Sequence, residues 1–215
     1  MSNTLTAEHK KNQLTELAKH NIVQADIIPE INTSGSGNGV VLSSNVNESH
    51  YAPSGWVMAT SIKDLKDKLG VKDDEIDAGT KSDHHINYPP EPSSTLLKLH
   101  KDSPDGCSFE RNLHENYKQD AHHLANATLA YVMGHSQKVK KYEDAINKVS
   151  FPKPMTIPVF AAENVTVSPG NPLILKSEDN KPIVVNFGTV TVEQGGEIQI
   201  IGGSTQWTSQ VFTQK

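Results

Sequence analysis

The chain has 215 residues, with 35% hydrophobic and 21% charged residues and a mean hydropathy of -0.51. That composition can build a core and excludes wholesale disorder. The net charge of -5 and pI near 6.0 exclude the positive field that nucleic-acid phosphates require, and no apolar run approaches the ~20 residues of a membrane span.

In chain order, residues 5–20 read as a short helix, with Thr6 as N-cap, Leu14 and Leu17 on one face and Asn21 as the stop. The charged, amphipathic start has no apolar leader core, so a cytoplasmic protein, or one exported without a cleavable signal peptide, is expected. "NTSGSGNG" (Asn32 to Gly39) reads as a flexible linker. Val40–Val46 and Gly55–Ser61 are strand-like. Ser61 and Asp64 resemble a capping pair ahead of a helix with Ile62, Leu65 and Leu69 on one face and Gly70 at its end.

Residues 71–107 are acidic, then proline-rich, and read as an extended loop packed on the surface or as a mobile segment. "STLLKLH" fits a strand or a helical turn. From Ser108, Phe109, Leu113, Tyr117, Ala121 and Leu124 recur at near-helical spacing and predict one long helix capped by Ser108. A second helix starts at Ser136, with Val139, Tyr142, Ile146 and Val149 on one face, and ends at the prolines of "FPKPM". "KVKKY" (Lys138 to Tyr142) reads as a solvated helix face.

Beyond "FPKPMTIP" the pattern is almost purely β. "NVTVSPGNPLIL" (Asn164 to Leu175) aligns with "TVTVEQGGEIQI" (Thr189 to Ile200) as a weak internal repeat. Two geometries compete. In a hairpin, Val190 faces Ile200 and Val192 faces Ile198 across a tight loop, with Gly196, or Asn171 in the first copy, in the left-handed conformation. In a solenoid, Val190 stacks parallel on Val165. Two coils are too few for a solenoid core, which favours hairpins in an antiparallel sheet. In "PIVVNFGTVTV" the apolar positions change phase, from Ile183, Val185 and Phe187 to Val190 and Val192, which predicts a bulge or sheet corner at Gly188.

The expected architecture is α+β: an irregular, helix-containing N-terminal part and a C-terminal antiparallel β-sandwich-like domain, with a short β-solenoid as the alternative. The expected divisions are residues 1–39 (helix and flexible arm), 40–150 (helix and loop region with two strands) and 151–215 (β domain).

Chemistry is sparsely signposted. The chain lacks GxSxG, P-loop, CxxC and GxGxxG in a strand-to-helix context. Cys107 is the only cysteine, which excludes an intrachain disulfide, and it reads as a small half-buried residue. The compositional excess is histidine, 10 residues. His114, His122 and Asp120 form a candidate set for a transition metal such as zinc, although HExxH is absent and the neighbouring His123 points about 100° away on a helix. A pH-responsive role would rest on the same imidazoles. Trp207 beside Gln206 could stack on a glycan or seal a subunit contact, or it could plug the end of the β core. Three functional classes follow: a non-catalytic, self-associating structural protein, expected as a homo-oligomer; a carbohydrate- or surface-binding module; and a histidine- or metal-dependent enzyme.

Overall fold

The computed structural model describes residues 5–178, 181–202 and 205–215. It divides into two compact units, one built from residues 1–57 and 156–215, the other from 58–155.

The first unit is a stack of parallel strands. One sheet runs in the order β1 (Ile28–Asn32), β4 (Met155–Val167), β6 (Ile183–Val192) and β8 (Thr205–Gln214), with β3 (Gly55–Ala59) also pairing β4. The second runs β2 (Val40–Ser43), β5 (Leu173–Lys176) and β7 (Ile198–Ile201). Val165 pairs Val190, Val167 pairs Val192, Leu173 pairs Ile198 and Leu175 pairs Ile200, all parallel. The antiparallel sandwich is therefore overturned, and the two repeat copies are successive coils.

The physical reason is that the coil count is higher than the repeat reveals. β1 and β2 supply a coil below, parallel to β4 and β5, and β8 begins another above β6. Each coil buries its inner side chains on the next, giving columns such as Ile31–Val165–Val190 and Leu42–Leu175 in one core. Every fully buried Val, Leu or Ile contributes about 1.5–3 kcal/mol.

The turns stack as well. Three residues before β2, β5 and β7 lie Gly37, Gly170 and Gly195, all with positive φ (68°, 70° and 81°). "NTSGSGNG" is therefore the turn of the first coil. The left-handed position is Gly170 and Gly195, one residue before the predicted Asn171 and Gly196.

At Gly188 the structure has a corner. Register is constant on both sides, Ala162 to Phe187 and Asn164 to Thr189, so no residue is bulged out. Phe187 and Val190 nevertheless both enter the core, as the phase change requires. A Cβ at Gly188 would stand 2.5 Å from the Glu163 carbonyl oxygen of the coil below.

Helix α1 (Ala7–Ala18) packs on this unit, capped by Thr6, whose hydroxyl accepts from the His9 amide. Its buried Gln13 donates to the carbonyls of Ala162 (3.0 Å) and Asn186 (3.2 Å). The outward-facing Val184 and Asn186 of β6 are buried too.

The second unit is helical: α2 (Ile62–Leu69), α3 (Asp73–Asp77), α4 (Ser94–Asp102), α5 (Gly106–Asn116), α6 (Lys118–Met133), a 3-10 turn over 136–142, and α7 (Glu143–Ser150). Ser61 caps α2 as expected. The predicted long helix is two helices, broken where Tyr117 leaves helical geometry (φ -137°, ψ 57°) and is exposed. Asp105, rather than Ser108, caps α5 through the Ser108 amide.

The proline-rich stretch is packed. The Tyr88 hydroxyl donates to Asp83 and accepts from the His135 amide, while Pro90 accepts from Tyr142. Hydrogen bonds from Lys138 and Tyr88 hold the Asp83 carboxyl down at about 2.

Candidate functional site

The core columns of the stack end unequally. At the first coil the β2 edge is closed: the Val41 amide donates to His50 Nδ1 (2.9 Å), and the His50 amide donates to the Val41 carbonyl (2.8 Å). Ser49 Oγ accepts from the Ser43 amide and donates to the Val41 carbonyl, and Tyr51 packs against the core.

The last coil is open. Leu42 and Leu175 are fully buried, but Ile200, next in their column, is 61% exposed. Ile31, Val165 and Val190 are buried, but Phe212 above them is 52% exposed. Among the described residues β8 has β6 on one side and no strand on the other, and β7 likewise ends the second sheet. "TQWTSQVFTQ" and "IQII" contain no charge and no proline, the devices that usually guard an exposed edge.

Trp207 lies at this end and turns inward. Its ring stands edge-on to Phe187 (5.1 Å between centroids) and to Phe212 (6.5 Å), and its Nε1 donates to Ser209 (3.1 Å). Gln206 is half-buried on the opposite side of the strand.

The predicted metal set is spread out. His114 is exposed near the end of α5, while His122 lies on α6 beyond the break, its Nε2 3.1 Å from the Asn126 amide nitrogen. Asp120 accepts from Ser93 (3.0 Å), the N-cap of α4. Among the described residues no group of three His, Cys, Asp or Glu is placed to hold one metal ion. Cys107 is exposed rather than half-buried.

The helical unit has a polar cleft of about 480 Å³, lined by lysines 63, 66, 72 and 140 and aspartates 67, 73 and 74, among others. Lys66 is buried at its base. Its ammonium donates to the carbonyls of Val71 (2.5 Å) and Gly134 (2.7 Å) and pairs with Asp73 (3.0 Å). Asp73 also accepts from the Ser136 hydroxyl (2.6 Å) and amide (2.9 Å). Burial raises the Asp73 pKa, but these bonds outweigh it and hold the group below its ordinary value. Lys63 pairs with Asp67, and Lys140 with Glu143, which also accepts from Tyr131. With these charges engaged one to another, the cleft reads as a staple joining α2, α3 and the 136–142 turn.

Sequence reasoning singled out Trp207 but not Ile200 or Phe212. The signal was the position of Ile200 in the repeat: it occupies the slot of the buried Leu175, and among the described residues no strand pairs β7 on its far side. No protein-family model matches the chain, and no curated protein or solved structure matches it either. No described helix is long and apolar enough to cross a membrane.

Proposed function

We propose that this chain is a non-catalytic structural protein that self-associates through the C-terminal end of its β stack. One observation carries the reading: core columns buried at every lower coil emerge at Ile200 and Phe212, beside an uncharged, unpaired strand edge. Exposed apolar side chains together with free backbone donors and acceptors are the surface that a strand from another subunit covers. At the first coil the β2 edge is closed and β1 carries a proline and a charge, Pro29 and Glu30, so the two ends differ chemically and association is directed to the C-terminal one.

Sedimentation velocity from about 1 to about 100 µM, a range in which mass action resolves weak association, tests this. A species of twice the 23.5 kDa chain mass is expected to grow with concentration. A single 23.5 kDa species throughout would remove the proposal.

A further inference from the structure

The open strand also specifies how a second copy would sit on it, an inference that rests on the self-association proposed above. β8 follows β6 in constant register, Val185 to Trp207, Phe187 to Ser209, Val190 to Phe212 and Val192 to Gln214. It therefore inherits the corner. Trp207 and Ser209 face inward before it, Phe212 and Gln214 after it, and the ring contact between Trp207 and Phe212 places both on one side.

Along a strand, the side-chain direction and the edge to which N–H and C=O point alternate together. For L residues the chirality locks one to the other. The inward residues of both arms therefore aim their backbone groups at the same edge, although one arm carries them at odd and the other at even positions.

Two copies of one strand meeting edge to edge about a twofold axis run antiparallel. A straight strand would offer many registers. A strand with a corner keeps inward opposite inward, and bend opposite bend, in one register only. The geometry points to a twofold dimer in which β8 pairs with β8 of a second copy, Trp207 opposite Gln214, Thr208 opposite Thr213, Ser209 opposite Phe212 and Gln210 opposite Val211. Gln206 then faces Lys215.

The chemistry agrees with the register. Trp207 of one copy and Phe212 of the other stand as diagonal neighbours, within reach of large aromatic side chains. No like charges oppose each other, because the strand has none. Stacking the last coil onto the first coil of another copy, which would build an open filament, sets β7 against the β2 edge that Ser49 and His50 close and β8 against β1, which carries Pro29 and Glu30. A closed dimer results.

Paired cysteines test the register. In a Cys107→Ser background, Thr208→Cys with Thr213→Cys places facing thiols across the twofold, where Cα atoms of opposed residues stand about 4.5–5.5 Å apart, within disulfide reach. Within one chain the same positions are five residues apart, more than about 10 Å, and cannot bridge. Mild oxidation is expected to give a covalent dimer that reductant reverses. Thr208→Cys with Val211→Cys, and Gln210→Cys with Thr213→Cys, correspond to slips of two residues and are expected to stay uncrosslinked.

Equal crosslinking in all three pairs, or none in the first while the protein still sediments as a dimer, would overturn the register and leave self-association standing. A monomer at every concentration would overturn both. As an independent check, Phe212→Lys points a charge into the joint and is expected to sediment as a monomer with an unchanged circular dichroism spectrum. An undiminished dimer in that variant would count against the β8 joint.

Discussion

Replacing Lys66 with alanine is expected to destabilise the helical unit by about 3 kcal/mol, the scale on which removing one partner strands a buried charge. The lysine emerges from α2 into a site closed by Val71, Gly134 and Asp73. Its loss leaves two carbonyls without a donor and the Asp73 carboxylate without its cation. Urea denaturation followed by circular dichroism reads this as a lower midpoint. The sign of the pH dependence follows from Asp73, whose folded pKa is depressed. A depressed carboxyl contributes stability that is present above its unfolded pKa, about 3.9, and is lost as pH falls through the folded value. The wild type is therefore expected to lose stability on acidification below about pH 4, and Lys66→Ala to lose less, because part of that contribution is already gone. Equal midpoints for the two proteins at neutral pH would show that the staple carries no stability.

Gly188→Ala is expected to cost the β unit about 3 kcal/mol, at the upper end of overpacking penalties. The added Cβ would meet the Glu163 carbonyl oxygen at 2.5 Å and the Leu5 side chain at 3.0 Å. Leu5 can move aside, but a backbone oxygen of the neighbouring coil moves only if the coils separate. Gly195→Ala is the informative comparison. There φ is +81°, and the nearest atom is a Pro169 side-chain carbon at 3.7 Å, so only the left-handed strain of about 1–2 kcal/mol applies. Denaturation midpoints are expected to fall further for Gly188→Ala than for Gly195→Ala. The reverse order would mean that turn conformation, rather than coil spacing, limits the stack.

Much of the stack was legible in the residues. The copies at 164–175 and 189–200 are the ones that pair, at the offset the alignment gave, and the phase change at Gly188 marks a true corner. The choice between parallel and antiparallel was not legible, because Val190, Val192, Ile198 and Ile200 alternate identically in a hairpin and in a coil. The coils that decide it were hidden for separate physical reasons. β1 and β2 are parted from β4 by residues 44–154, and β2 follows a glycine-rich turn that resembles a linker by composition. Among the described residues β8 is the outermost strand of its sheet, and with Trp207 and Phe212 as its large inward side chains it reads as polar.

In the helical unit, Ser61 announced its cap, but Lys66 gave no sign of burial. A lysine on an amphipathic helix is ordinarily solvated, and only tertiary packing brings three acceptors to its ammonium. The histidines stood out by number, yet the break at Tyr117 parts His114 from His122. Trp207 could be read as binding residue or core plug, and it is partly buried, packed against the core beside Phe187 and Phe212.

The most direct test is hydrogen exchange of the β8 amides followed as protein concentration rises. Association through this edge supplies partners to backbone groups that β6 leaves free, and protection then follows mass action. Protection confined to residues 205–214 and growing with concentration is the predicted result. Exchange that stays fast and independent of concentration at the β8 amides that do not bond β6 would contradict an assembly edge at this end of the stack.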